Sequence, residues 1–154
     1  RNHANFVIDT SSLKVAEMNS ELDKFFGTKT KHDSFVLNIM SFGYKHGMPL
    51  EADWVVDVRF IPNPYYVSSL KKLTGNNKKV AQYVLRQDVT KEFVNRFREI
   101  ITRLVPAYVK EGKYSLTIAF GCTGGQHRSV TLANEFYRIF TAEGWRVTLE
   151  HREL

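Results

Sequence analysis

The chain has 154 residues, with 22 Lys and Arg against 16 Asp and Glu, a formal net charge of +6, 43% hydrophobic residues and 13% aromatics. That composition can bury one core and excludes a disordered tail, and no apolar run approaches the roughly 20 residues needed to span a bilayer. With no signal peptide and a single cysteine, Cys122, an intramolecular disulfide and a multi-cysteine zinc site are excluded, no metal is expected, and a cytoplasmic location is the simplest expectation.

In chain order, Phe6-Val7-Ile8 reads as a short strand, and Asp9-Thr10-Ser11-Ser12 offers helix-capping side chains. A helical pattern follows through Leu13, Ala16, Leu22, Phe25 and Phe26 and stops at Gly27. Residues 28–33 are polar and lysine-bearing and read as a linker. The chain opens on Arg1 rather than Met, so residues 1–33 are expected to be the end of a preceding domain plus that linker. The main domain, residues 34–154, then begins with a buried strand, Phe35 to Met40, and a glycine-bearing loop, Ser41 to Pro49. Trp54 to Phe60 reads as a second strand, ended by Pro62-Asn63-Pro64 because proline cannot donate to a sheet ladder.

Residues 65–89 read as short helical pieces and turns, with Thr74-Gly75-Asn76-Asn77 as a turn signal. Thr90 to Lys110 reads as a long helix. Its expected apolar stripe is Phe93, Phe97, Ile100, Ile101, Leu104 and Tyr108, with Pro106 near its end. A third strand, Ser115 to Phe120, precedes a helix from Arg128 to Glu143 that Gly144 ends. Arg146 to Glu150 reads as the last strand. Strands alternating with crossover helices predict an α/β fold: a mostly parallel sheet flanked by helices.

The positive excess is local. Residues 65–114 carry 11 basic and 4 acidic side chains, while residues 1–64 carry 7 and 8, and residues 115–154 carry 4 and 4. Arg96, Arg103 and Lys110 share a helix face with Glu92 and Glu99, which satisfy them locally. Lys71, Lys72, Lys78 and Lys79 have no such neighbours and are the candidate nucleic-acid contacts, against the plainer reading of a solvated surface.

The most informative stretch is Gly121-Cys122-Thr123-Gly124-Gly125-Gln126-His127-Arg128-Ser129, between a strand and an amphipathic helix. Glycines let the backbone turn and bring its N–H groups close to a ligand. A helix N-terminus adds unsatisfied donors, and Arg128 adds a planar fork matched to phosphate oxygens. Thr123, His127 and Ser129 add further donors. The expected product is a phosphate-binding loop at the carboxyl end of a parallel strand; the alternative is a tight turn with glycine for geometry alone. The loop is not a Walker A motif, since no lysine lies in it. It does have the C-x5-R-[ST] spacing of cysteine-dependent phosphatases, with Cys122 as the alternative nucleophile and Asp88 or Asp53 as candidate general acids. Lys45 on the Ser41–Gly47 loop and Arg59, Asn63 and Tyr65 after the second strand could converge on the same anion. Asp57 could instead pair with Arg59 or Lys45.

Ser41 to Gly47, Asp57 to Pro64, Thr74-Gly75, Gly121 to Val130 and His151-Arg152 together resemble the carboxy-terminal domain of the RapZ/YvcJ family of bacterial nucleotide-binding proteins. The opening Val7-Ile8-Asp9-Thr10 resembles the end of that family's P-loop domain. The resemblance implies ATP or GTP binding and hydrolysis in an amino-terminal domain outside this chain, no cofactor in this domain, and a regulatory role for it. It implies a ligand pocket at Thr123, Gly124, Gly125, His127, Arg128 and Ser129, with help from the Asn-Pro segment; Gln126 is a further candidate, as part of the 123–128 backbone expected to hold the phosphate. RNase-adapter members sense glucosamine 6-phosphate there, bind small RNAs and self-associate. They carry His where this chain has Tyr65, and a basic tail after His-Arg that is absent before Leu154. The expected partners are thus a phosphorylated small molecule, a small RNA or regulatory protein, and a second copy of the chain, with no membrane.

Overall fold

The computed structural model describes residues 35–154, together with Lys14 and Met18. The expected strand at 6–8, the helix after it, the linker and the domain boundary lie outside the described residues.

Four strands, β1 (Val36–Gly43), β2 (Trp54–Asp57), β3 (Ser115–Cys122) and β4 (Arg146–His151), pair in parallel in the order β2-β3-β1-β4. Three helices complete the domain: α1 (Lys78–Leu85), α2 (Asp88–Lys110) and α3 (Arg128–Ala142). Alternation along the strands divides the sheet. Leu37, Ile39, Leu116, Ile118 and Phe120 enter one core with Val80, Val84, Phe97, Ile101, Leu132 and Phe136 from the helices. Phe120 and Phe136 stack with centroids 5.0 Å apart at its centre. On the opposite face Met40, Phe42 and Ala119 form a smaller cluster under Tyr44 and Ala52 of the connection between β1 and β2. Farther along that face a polar ladder crosses three strands: Thr148 Oγ1 donates to Asn38 Oδ1 at 2.8 Å, and Asn38 Nδ2 to Thr117 Oγ1 at 3.3 Å. Among the described residues no helix is long and apolar enough to cross a membrane.

Several boundaries differ from the sequence reading for identifiable reasons. β1 and β3 run on together to the pair Gly43 and Cys122, so residues 41–43 and 121–122, whose glycines and serine break the apolar run, are strand. β2 stops at Asp57 rather than Phe60. The Asp57 carboxylate accepts from the Arg59 N–H at 2.9 Å and turns the chain, while Val58 still donates to Gly121 O at 2.9 Å. Residues 78–85 form a regular helix because Asn77 Oδ1 caps it, accepting from Lys79 N at 3.0 Å. α2 begins two residues before the expected start and continues through Pro106. Its buried face is Thr90, Val94, Phe97, Ile101 and Val105, so the expected stripe is rotated and Ile100 and Leu104 are exposed. Apolar residues lie on both flanks of this helix, and periodicity alone could not say which flank meets the sheet.

Candidate functional site

Because the sheet is parallel, Gly43, Asp57, Cys122 and His151 all end at one edge. The loop from Thr123 to His127 leaves β3 there and enters α3. Its path requires glycine. Gly125 has φ +71°, and a Cβ on it would lie 2.7 Å from Gly43 N and nearer still to the Glu153 carboxylate. From the other side Gly75 N donates to Gln126 O at 2.8 Å, and a Cβ on Gly75 would lie 2.5 Å from His127 O. Lys45 N also donates to Thr123 O at 3.3 Å. Three segments distant in sequence thus clamp the loop.

The loop's sulfur is surrounded by donors. Cys122 Sγ lies 3.1 Å from Ser129 Oγ, and the backbone N–H groups of Ser129, Gly125 and His127 point at it. Burial by itself raises the thiol pKa, but the Ser129 hydroxyl and these amides outweigh it and hold Cys122 below its ordinary value.

Arg128 is only 5% exposed. Its Nη1 donates to Arg59 O at 3.0 Å and Ile61 O at 2.9 Å, so the guanidinium pins the exit of β2 to the loop. Its Nη2 reaches Thr123 Oγ1 at 3.5 Å, whereas its buried Nε has no partner; neither has the buried His127 Nε2. Buried polar groups in folded proteins are normally paired. Both residues line a cleft.

That cleft encloses about 340 Å³. It brings together eight of the residues singled out in the sequence: Lys45, Asn63 and Tyr65 on one wall, and Thr123, Gly124, Gln126, His127 and Arg128 on the other. Cys122, the alternative nucleophile, lies at its base. Asn63 Oδ1 accepts from Tyr65 N at 3.2 Å and fixes the short turn that presents Tyr65.

Three expected residues do not line it. Gly125 faces Gly43 and Glu153. Ser129 is fully buried against the sulfur. Arg59 makes a two-pronged pair with Asp57, Nε to Oδ1 at 3.0 Å and Nη2 to Oδ2 at 2.7 Å, and its guanidinium sits 4.3 Å over the Tyr44 ring. The Arg59 side-chain bond holds Asp57 below the usual carboxylate range. Lys71, Lys72, Lys78 and Lys79 are all exposed; Lys71 Nζ lies 4.6 Å over the Tyr65 ring at the mouth of the cleft. The phosphatase alternative needs an acid, but Asp53 pairs with Lys113 and Asp88 with Lys91, and neither lines the cleft.

Tyr66 also lines the cleft. No chemical signal in the sequence separated it from other surface tyrosines. Glu153 was missed too, because it follows the last strand and meets the loop only through the sheet register.

Residues 35–154 match the RapZ C-terminal domain. A nucleotide-binding protein of Caldanaerobacter subterraneus subsp. tengcongensis is 47% identical over 154 residues, covering 100% of this chain and 54% of that protein. One from Caldicellulosiruptor saccharolyticus is 46% identical over 154 residues, covering 100% and 53%. One from Clostridium botulinum is 43% identical over 155 residues, covering 100% and 53%. The chain therefore spans about half the length of these curated relatives.

Proposed function

The chain belongs to the RapZ C-terminal domain family, and from that premise we propose that it is the ligand-sensing, regulatory half of a nucleotide-binding protein. Its relatives are named for nucleotide binding, and in this reading ATP or GTP chemistry resides in the half that this chain does not span. The site on this chain takes a phosphorylated small molecule at the loop 123–128.

One observation carries this reading: the buried and unpartnered Arg128 Nε and His127 Nε2 beside a cleft that Lys45 also lines. In this reading an oxyanion in the cleft is held by the Arg128 guanidinium and the His127 ring, with Lys45 as counter-charge. Calorimetric titration of the chain with inorganic phosphate tests it. Binding that weakens roughly 10-fold in Lys45→Met agrees with loss of one charge-assisted contact of about 1.5 kcal/mol. No heat, or unchanged affinity in that variant, rejects it.

A second reading is cysteine-dependent phosphatase activity, favoured by the donors around Cys122 Sγ. Hydrolysis of an aryl phosphate, lost in Cys122→Ser, supports it. The commitment of Arg128 Nη1 to two carbonyls speaks against it. RNA contact is a proposal on the exposed lysines. Lys78 and Lys79 occupy the positive end of α1, where cations are unfavourable unless an anionic partner compensates. A steep loss of RNA affinity with salt, reduced by charge reversal at these positions, tests that contact.

A further inference from the structure

Helix α2 is apolar on two flanks, and the core covers one of them. Thr90, Val94, Phe97, Ile101 and Val105 are its buried face. Val89, Phe93, Ile100, Leu104 and Ala107 follow at spacings of four, seven, four and three residues. That spacing puts them on a single line, about 100° round the axis from the buried face. Val89, Ile100 and Leu104 are 46%, 45% and 39% exposed, and Ala107 is exposed too. Near the start of the line Phe93 meets Phe60 edge-on, with centroids 5.3 Å apart, and Phe60 is itself exposed. Single apolar residues on a surface are ordinary, whereas a continuous line of them marks a surface that another body covers. Arg96 and Arg103 border the line and are exposed, and Arg96 is only loosely paired with Glu92 at 4.0 Å.

The size and position of the line select what covers it. At 1.5 Å per residue it runs about 27 Å, and on a helix about 10 Å across it offers roughly 270 Å². Two free molecules need about 800 Å² from each partner to hold together. A tethered neighbour needs far less, because a short linker supplies an effective concentration on the order of mM. Such a neighbour is at hand. Val36 N donates to Tyr114 O at 3.0 Å, so β1 begins beside the turn that leaves α2. Leu104 lies about 9 Å of helix before Lys110, the last residue of α2. The polypeptide that precedes Phe35 therefore joins the domain close to this flank. Its residues 13–26 carry Leu13, Leu22, Phe25 and Phe26 together with Glu17, Glu21 and Asp23. Apolar and acidic side chains are what an apolar line edged by arginines selects. The relatives have about as much polypeptide again outside the part that this chain matches.

We infer that the flank formed by Val89, Phe93, Ile100, Leu104 and Ala107 is the docking face for the polypeptide that precedes Phe35, so that α2 lies between the sheet and the rest of the protein. This goes beyond the sensor reading and asks nothing of the cleft. Phosphate binding, or its absence, bears on that reading alone.

Cysteine labelling in the full-length protein that carries this chain tests the docking. Leu104 and Val109 are 39% and 37% exposed, and they point to different sides of α2. With nothing covering either, Leu104→Cys and Val109→Cys react with a maleimide at similar rates. With docking, Leu104→Cys should react about 10-fold more slowly than Val109→Cys, after subtraction of the parent protein's rate. Adding Ile100→Glu should bring Leu104→Cys back to the Val109→Cys rate. All three positions are exposed, so the substitutions leave the fold intact. Equal rates at the two sites, or protection of Leu104→Cys that survives Ile100→Glu, overturns the inference. Protection that fades on dilution assigns the flank to a second copy and overturns it as well.

Discussion

Two clusters at the same edge of the sheet each hold a histidine and end differently. On the β1–β4 side, Ser41 Oγ lies 2.8 Å from His151 Nδ1, His151 Nε2 lies 3.2 Å from Asn134 Oδ1, and Asn134 Nδ2 donates to Asn76 Oδ1 at 2.8 Å. One tautomer satisfies the chain: Ser41 donates to Nδ1, and Nε2–H donates to Asn134. Every imidazole nitrogen has a partner, and the network joins β1, β4, α3 and the turn before α1. On the β2–β3 side, His127 stands next to the cationic Arg128, also near a strand end. There, two buried nitrogens stay open. A saturated network holds a structure together, whereas the second cluster leaves part of its hydrogen-bonding capacity unused. The two clusters differ in hydrogen-bond closure and in charge, the first built of Ser, His and Asn and the second containing an arginine.

Breaking the open cluster should have the largest effect. Arg128→Ala leaves Arg59 O and Ile61 O without donors in a buried setting, and should cost roughly 2–4 kcal/mol of unfolding free energy together with most phosphate affinity. Denaturant unfolding measures it, and a loss below about 1 kcal/mol would show that Arg128 is held for ligand alone. Next, Gly125→Ala forces a side chain into a positive-φ position against Gly43 and Glu153. It should cost roughly 1–3 kcal/mol and distort the loop. Phosphate affinity surviving intact in that variant would mean that the loop's path is not what binds.

The closed cluster predicts a pH effect. Burial holds His151 below its ordinary pKa of 6.5. As pH falls through that value the unfolded chain takes up a proton before the native one does, so stability declines on acidification below about 6.5 and is level in this respect above it. Melting curves between neutral and mildly acidic pH should show the decline, and His151→Gln should flatten it; an equal slope in both proteins sinks the assignment. Titration of thiolate absorbance should place Cys122 below its reference value of 9.0, with Ser129→Ala raising it, since a donor to the charged form is lost. The smallest effect belongs to Asp57→Asn. The Asp57–Arg59 pair is half exposed, so the change should alter stability by less than about 1 kcal/mol. A larger loss would give Arg59 a place in the site that the geometry does not.

The loop itself was legible because its signals are local: glycines, a C-x5-R-S spacing, and a strand and an amphipathic helix on either side. Lys45, Asn63 and Tyr65 were legible because a parallel sheet returns every strand end to one edge. The misplacement of Arg59 has a local cause that the sequence offered only as an alternative. A carboxylate two residues away is a nearer partner than a ligand across the cleft, and distance decides electrostatic competition. Ser129 carries a donor, but its helical position turns it toward the sulfur.

From residue order and chemistry alone came the α/β class, the parallel strands, the family resemblance and the loop at Gly121 to Ser129, since alternation, capping and glycine act over a few neighbours. Tertiary structure alone decided which flank of α2 meets the sheet, that β1 and β3 extend together to Gly43 and Cys122, that Arg128 binds two carbonyls from the β2 exit, and that Tyr66 stands at the mouth of the cleft. Each of these depends on contacts between segments tens of residues apart. Such contacts are set by how the faces pack, and neither periodicity nor motif spacing encodes that packing.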